Sequence, residues 1–140
     1  MISFTIPGEP KSKLRHRTTK QDFSYNPKQN IEYENWVKQC FWIKHGQTML
    51  DGEIKAIIKA YFKIPKSTSK KRRKLMLEEK IRPTKKPDTD NLAKIVLDSL
   101  NDLAYKDDKQ VVDLRVLKYY SEEPRVEVEL EGVACTKEEL

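Results

Sequence analysis

Two aspartates and one lysine lie close together in a polar segment of the chain. The segment is Lys86-Pro87-Asp88-Thr89-Asp90-Asn91-Leu92-Ala93-Lys94. Asp88 and Asp90 come at the entry to a predicted helix, where the positive end of the helix dipole favours ionised carboxylates. Two residues apart in extended backbone, their side chains leave on the same side. Lys94 follows Asp90 by four positions and therefore shares its helical face. The spacing predicts two carboxylates and an ammonium on one small surface, which could hold a metal ion.

The same residues also have a purely structural interpretation. Aspartate is a favoured residue at the start of a helix, so Asp88 or Asp90 could serve only as the N-cap. Lys94 could form only an exposed ion pair with Asp90 or Asp98, and such pairs contribute little. Capping, however, requires one aspartate and does not explain the basic sequence that precedes both.

A second pair of aspartates, Asp107-Asp108, follows the predicted helix and precedes a predicted strand. If that strand packs beside the helix, the chain doubles back and can bring the pair towards the first site. Three carboxylates without His or Cys nearby suit Mg²⁺, with Mn²⁺ as the alternative ion, because these hard cations keep several waters and bind phosphate oxygens. Taken alone, the pair is better explained as a turn, where aspartate is common.

Charge is unevenly distributed along the 140 residues, whose net charge is +6. Positions 66–86 hold 10 basic and 2 acidic residues, whereas positions 87–140 hold 7 basic and 14 acidic residues. A basic cluster attracts phosphate backbones and releases their counterions, although a lysine-rich stretch can also be ordinary solvated surface. The acidic half argues against a simple polycation and is consistent with carboxylates that hold a metal.

Several other functions lack the residues that they need. His16 and His45 are the only histidines, and the four glycines form no P-loop and no dinucleotide-binding motif. No nucleotide cofactor is therefore expected. Cys40 and Cys135 are far apart, the N-terminus has no signal-peptide pattern, and no apolar run is long enough to span a membrane. We expect a cytoplasmic protein with free thiols and no membrane partner.

The hydrophobic periodicity predicts one small α+β (mixed α/β) domain over residues 1–140, with a frayed tail after about residue 132. The predicted strands are 2–6, 53–64, 111–119 and 126–130, and the predicted helices are 30–44, 70–79 and 90–103. Gly46 should end the first helix, and Ser67-Thr68-Ser69 can cap the second. The last two strands are predicted to form a hairpin through the turn at 121–124. With helices on one side of a single sheet, the other face is exposed or paired with a second chain.

The polar segment, its continuation Leu97-Asp98-Ser99-Leu100-Asn101 and the stretch Tyr105-Lys106-Asp107-Asp108-Lys109-Gln110-Val111-Val112 closely resemble the RusA family of Holliday junction resolvases. This family occurs in bacteria and their phages. The similarity extends to Pro7-Gly8-Glu9-Pro10, Tyr25-Asn26-Pro27-Lys28 and Pro65-Lys66-Ser67-Thr68-Ser69-Lys70-Lys71-Arg72, and so covers nearly the whole chain. The D-x-D-N-x-x-K element followed by D-D is the specific part of the resemblance.

The resemblance implies that Asp88, Asp90 and Asp108 are the catalytic ligands of Mg²⁺ and that Lys94 is required for cleavage. It implies a homodimer, encoded by a bacterium or a phage, that nicks two opposed strands of a four-way DNA junction during recombination and repair. Lys94 could stabilise charge on the transition state or orient the nucleophile. The expected phosphate contacts are Lys13, Arg15, Arg17, Lys70, Lys71, Arg72, Arg73, Lys85 and Lys86.

Two alternatives remain at this point. One is a non-catalytic accessory protein that binds junctions or duplex DNA and whose carboxylates only cap and solvate. The other is a metal-dependent nuclease for other branched DNA. Dimerisation is expected through apolar residues of the 111–130 hairpin that helices leave uncovered.

Overall fold

The computed structural model describes residues 1–11, 17–18, 24–25 and 27–133. The predicted DNA contacts Lys13 and Arg15 lie outside these residues, and so do His16, Cys135 and the predicted frayed tail. Arg17 is described only through its backbone, which pairs with that of Tyr25.

The described residues form strands and helices in nearly the predicted order. The elements are β1 (Ile2–Pro7), β2 (Arg17–Thr18), β3 (Ser24–Tyr25), α1 (Lys28–His45), β4 (Asp51–Lys63), α2 (Lys70–Leu77), α3 (Thr89–Ser99), β5 (Val111–Ser121) and β6 (Arg125–Val133). A 3₁₀ turn, Asp108–Gln110, leads directly into β5.

Strand β4 lies between β6 and β5, and every second side chain along it is apolar. Ile54, Ala56, Ile58, Ala60 and Phe62 are all buried on one face of the strand. Alternate residues leave opposite faces of a strand, so this pattern commits one face to the core. The predicted strand at 53–64 is confirmed.

The sheet order is β1-β6-β4-β5, with β4 parallel to β5 and antiparallel to β6. The predicted hairpin between the last two strands is therefore wrong, because β4 lies between them. Strand β6 lies between β1 and β4, and its Val126, Val128 and Leu130 are completely buried. Strand β5 is left at the edge, where Val112 is 63% and Leu114 is 44% exposed.

The helices determine which face of the sheet is covered. Helix α1 packs against β1 and α3, and α3 packs against β5. The buried face of α1 is formed by Asn30, Tyr33, Val37 and Phe41, whereas Ile43 is 75% exposed. Gly46 ends α1 as predicted, in the left-handed region with φ of +58°. The predicted fold class, a small α+β domain, is confirmed; its main sheet has four strands and is mixed.

Helix α3 is shorter at its C-terminal end than the hydrophobic pattern predicts. It ends at Ser99, and the chain turns until Asp102 adopts a left-handed φ of +62°. Ala104 and Tyr105 are buried beneath this turn, and the Tyr105 hydroxyl donates a hydrogen bond to the Leu97 carbonyl. This anchored turn sends the chain back along α3 and into β5.

Candidate active site

Asp88 occupies the N-cap position of α3, yet its carboxylate makes no capping hydrogen bond. Its backbone is extended, and its carbonyl accepts the N–H of Leu92. Capping therefore does not account for this carboxylate, which is exposed at the positive end of the helix. The prediction that the Asp88 and Asp90 side chains leave on the same side assumed extended backbone through both residues. The helix begins at Thr89, so the extended backbone stops at Asp88.

Asp90 and Lys94 both lie within α3 and are both exposed. Their spacing of four residues places them on the same helical face, as predicted. The ion pairs that join described residues do not include Lys94. The exposed ion pair that offered a structural explanation for this lysine is not formed.

Asp107 and Asp108 play different structural roles at the other end of α3. The Asp107 carboxylate accepts the N–H of Lys109 at 2.9 Å and caps the 3₁₀ turn, while the Gln110 side chain accepts the N–H of Asp107 at 3.1 Å. Asp108 donates its own N–H to the side-chain oxygen of Asn101 at 2.7 Å. Asp107 is thus occupied by capping, and the backbone of Asp108 is held by the Asn101 side chain.

The Asp108 carboxyl lies in an acidic cluster with Asp98 and Asp107. Burial raises the pKa of Asp108 to about 6, and the side chains of Asp98 and Asp107, which lie within hydrogen-bonding reach, reinforce this shift. The Lys109 N–H instead lowers the pKa of Asp107. Asp108 therefore accepts a proton more readily than Asp107.

The structure places the sequence-predicted aspartates at opposite ends of α3. Asp88 acts electrostatically on Lys118 near the end of β5, whereas Asp98 reaches Asp108 just before that strand. Asp90 precedes Asp98 by eight residues, which corresponds to about 12 Å along a helix axis. No group of three or more His, Cys, Asp or Glu side chains that could hold a metal ion occurs among the residues the structure describes. Within one chain, Asp88, Asp90 and Lys94 all belong to the N-terminal part of α3, whereas Asp108 lies beyond its C-terminal end.

Two exposed carboxylates nevertheless fit the coordination chemistry of Mg²⁺. This ion is usually bound by one or two carboxylates together with waters and substrate phosphates. Asp88 and Asp90 are adjacent to the start of α3, and neither is engaged in a salt bridge between described residues. The donor set at the start of α3 therefore fits a cation that also binds phosphate oxygens.

Basic residues form the first turn of α2. Ser69 caps this helix, as predicted, by accepting the N–H of Arg72 at 3.3 Å. Lys70, Lys71 and Arg72 are exposed at the helix start. Cations at this end oppose the helix dipole, at a cost of about 0.3–1 kcal/mol each, so folding does not explain their position.

The other predicted DNA contacts differ in whether their charges are already paired within the chain. Arg73 is held in an ion pair with Glu122 at 2.7 Å and is therefore partly occupied within the chain. Lys85 and Lys86 are exposed just before Asp88, and the Lys85 ammonium lies 5.7 Å from the centroid of the Phe62 ring.

Lys118 is a charged residue near this site that the sequence pattern did not single out. It pairs with Ala60 and lies on the covered face of β5, in alternation with Val116 and Tyr120. Burial lowers the pKa of Lys118, and Asp88 acts in the opposite direction. The sequence did contain a signal for this residue, because Lys118 occupies a position at which the alternating pattern of the strand calls for an apolar side chain.

A column of aromatic and guanidinium groups lies on the opposite face of the sheet. The Tyr61 and Tyr119 rings stack with centroids 5.5 Å apart. Arg125 lies 4.0 Å from the Tyr61 centroid, and Arg82 lies 4.5 Å from the Tyr119 centroid. Arg82 also donates to the Lys118 carbonyl at 2.9 Å, which attaches the loop preceding Asp88 to β5.

These features together define a class of protein. Exposed carboxylates at a helix start, a basic helix that opposes its own dipole and a basic loop between them are typical of a protein that acts on a nucleic-acid backbone. None of the helices in the described ranges is long and apolar enough to cross a membrane.

Comparison with known proteins identifies the family within that class. The family model described as "Endodeoxyribonuclease RusA" matches residues 7–131. The chain is also 41% identical over 139 residues to "Uncharacterized protein YqaN" of Bacillus subtilis (strain 168), a match that covers 96% of this chain and 98% of that protein. The chain belongs to the RusA family of endodeoxyribonucleases, as the resemblance in its sequence predicted.

Proposed function

We propose that the protein is a Mg²⁺-dependent endonuclease that resolves four-way DNA junctions by symmetric paired nicking. It would act during recombination and repair in the cytoplasm, encoded by a bacterium or a prophage. The observation that carries the proposal is the Asp88 carboxylate, which stands at a helix N-cap without capping the helix. Membership of an endodeoxyribonuclease family supplies the class of reaction.

Each group at the start of α3 has a distinct task. Asp88 and Asp90 would hold Mg²⁺, or Mn²⁺ in its place; when bound, the ion polarises the scissile phosphate and lowers the pKa of a coordinated water. Lys94 shares the face of Asp90 and would either stabilise charge on the phosphate or orient the nucleophile. The positive end of α3 favours an anion at the same place.

The basic residues would bind the duplex arms through their phosphates. Lys70, Lys71 and Arg72 are exposed at the start of α2, and Lys85 and Lys86 are exposed in the loop before Asp88. Such contacts orient DNA and carry no sequence information. The charge on Arg73 is already paired with Glu122, so we assign it a smaller share of DNA binding than its neighbours.

A role for Asp108 in the same metal site requires a second copy of the chain. Within one chain Asp108 is separated from Asp90 by most of the length of α3. In a two-fold dimer the same surface of each subunit meets its counterpart, so two antiparallel α3 helices would place the start of one beside the end of the other. We therefore propose that Asp108 contributes to the site formed by Asp88 and Asp90 of a second copy.

The apolar residues for such an interface lie on β5. Val112 and Leu114 are exposed on this edge strand, beside α3. The residues of β6 that were predicted to contribute are buried within the chain's own core. The proposed dimer surface is therefore restricted to α3 and the beginning of β5.

Cleavage of a labelled four-way junction tests the proposal. The protein should cut opposed strands at symmetric positions when Mg²⁺ or Mn²⁺ is present and should not cut in EDTA. Flaps, forks and linear duplex are the comparison substrates. Equal cutting of flaps would show a general nuclease for branched DNA, and tight binding without any cutting would show a non-catalytic accessory protein.

A further inference from the structure

Lys118 occupies an unusual position for a lysine. On the covered face of β5 it replaces an apolar residue between Val116 and Tyr120. Its ammonium lies 5.2 Å from the centroid of the Phe62 ring and donates a hydrogen bond to the Lys85 carbonyl. The long side chain thus reaches from the strand to the loop that leads to α3.

This strand position holds the loop of residues 82–88, here called the aspartate loop, at two points. The Arg82 side chain donates to the backbone carbonyl of Lys118 at 2.9 Å, and the Lys118 side chain donates to the backbone carbonyl of Lys85. One residue of a rigid sheet therefore fixes both the beginning and the middle of the loop. Asp88 is the last residue of this loop, and its carboxylate acts electrostatically on the Lys118 ammonium.

Asp88 needs an external partner of this kind because the helix does not orient it. Its side chain makes no capping hydrogen bond, and it is exposed. Groups that orient a metal ligand from behind commonly change metal affinity or activity by about 10–100-fold when they are removed.

We infer that Lys118 is a positioning residue for Asp88, because its ammonium fixes the aspartate loop at the Lys85 carbonyl, three residues before Asp88. The inference rests on the proposed function in one respect, that Asp88 binds a divalent cation. It adds a residue from β5 to the residues that the start of α3 contributes to the site.

A purely structural explanation must be separated from this one. A charged residue that points inwards on an edge strand can protect the strand from pairing with other chains. That explanation predicts changes in solubility or aggregation when Lys118 is replaced, but no change in cation binding by the soluble protein.

The test uses the full chain without DNA, with Mn²⁺ as the probe. Binding of Mn²⁺ is measured by electron paramagnetic resonance in the wild type, Lys118→Met, Lys118→Arg, Asp88→Asn and the control Lys63→Met, which removes an exposed lysine from the neighbouring strand β4. We expect Lys118→Met to weaken binding about tenfold. Lys118→Arg should restore it, and Lys63→Met should behave as the wild type.

Two further measurements accompany the titration. Hydrogen–deuterium exchange should become faster in the aspartate loop of Lys118→Met and not in that of Lys63→Met. In junction cutting, the Mg²⁺ concentration for half-maximal rate should rise about tenfold, while the rate at saturating Mg²⁺ stays near that of the wild type. Wild-type Mn²⁺ affinity in folded Lys118→Met would overturn the inference. If that variant does not fold, Lys118→Gln replaces it, and wild-type affinity there would overturn the inference equally.

The outcomes separate this inference from the proposed function. If the wild type binds Mn²⁺ through Asp88 and Lys118→Met weakens that binding, the inference holds even if no junction is cut. If Asp88→Asn leaves Mn²⁺ binding unchanged, Asp88 is not a ligand, and both the metal site and the role of Lys118 are refuted.

Discussion

Replacing Asp108 by asparagine should stabilise the metal-free protein at neutral pH. In the folded chain, burial and the neighbouring Asp98 and Asp107 raise the pKa of Asp108 from 3.8 to about 6. A carboxyl with a raised pKa in the folded state holds its proton more tightly there than in the unfolded chain. The contribution of Asp108 to the stability of the folded chain is therefore fully present below about pH 4 and is lost as the pH rises through 6. Asparagine cannot ionise and escapes this loss.

The magnitude follows from the size of the pKa shift. About two pKa units correspond to at most about 3 kcal/mol, at 1.36 kcal/mol per unit. Asp108 is only half-buried, so solvent screens much of this energy, and we expect a gain of about 1 kcal/mol. For a domain of this size that gain corresponds to an increase in Tm of roughly 4 °C.

Urea unfolding in EDTA at pH 4 and pH 7.5, at one fixed protein concentration, measures this effect. The free energy of unfolding of Asp108→Asn relative to the wild type should rise by about 1 kcal/mol between the two pH values. Asp102→Asn is the matched control, because Asp102 lies 2.9 Å from the Lys106 ammonium and loses an attraction when replaced. An Asp108→Asn advantage that is the same at both pH values would refute the electrostatic explanation.

Three further predictions concern cutting, DNA binding and assembly. Asp90→Asn should abolish junction cutting in a gel assay while junction binding stays intact or becomes tighter, because a negative charge near the phosphate is removed; near wild-type cutting would contradict the metal site. Replacing Lys71 and Arg72 together by alanine should weaken binding to DNA of every shape and flatten the slope of log K against log salt by up to ~1.8, whereas Arg73→Ala should change the slope less. An unchanged slope in the double variant would place this helix away from DNA. Light scattering without DNA should give a mass near twice 16.5 kDa, and Leu114→Glu should reduce it to that of the monomer; a wild-type monomer that still makes paired cuts would show that assembly occurs on the junction.

Local sequence patterns determined the elements and part of the site. Alternating apolar residues fixed the buried face of β4, and Ser69 fixed the start of α2. The placement of Asp88, Asp90 and Lys94 at a helix start could be recognised from the sequence, because Asp88 is the N-cap of α3 and the other two residues belong to the same helix. Such features depend on contacts between near neighbours in the chain, which residue type and spacing control directly.

The tertiary structure decided which strands pair and which distant residues meet. Hydrophobic periodicity indicates which face of a strand is buried but not which strand pairs with it. The pattern therefore could not reveal that β4 separates β5 from β6. For the same reason, the sequence could not show that Lys118 reaches the Lys85 carbonyl or that Asp108 joins Asp98 at the far end of α3. These contacts depend on how the helices and strands pack, and packing is determined by the whole core rather than by any one segment.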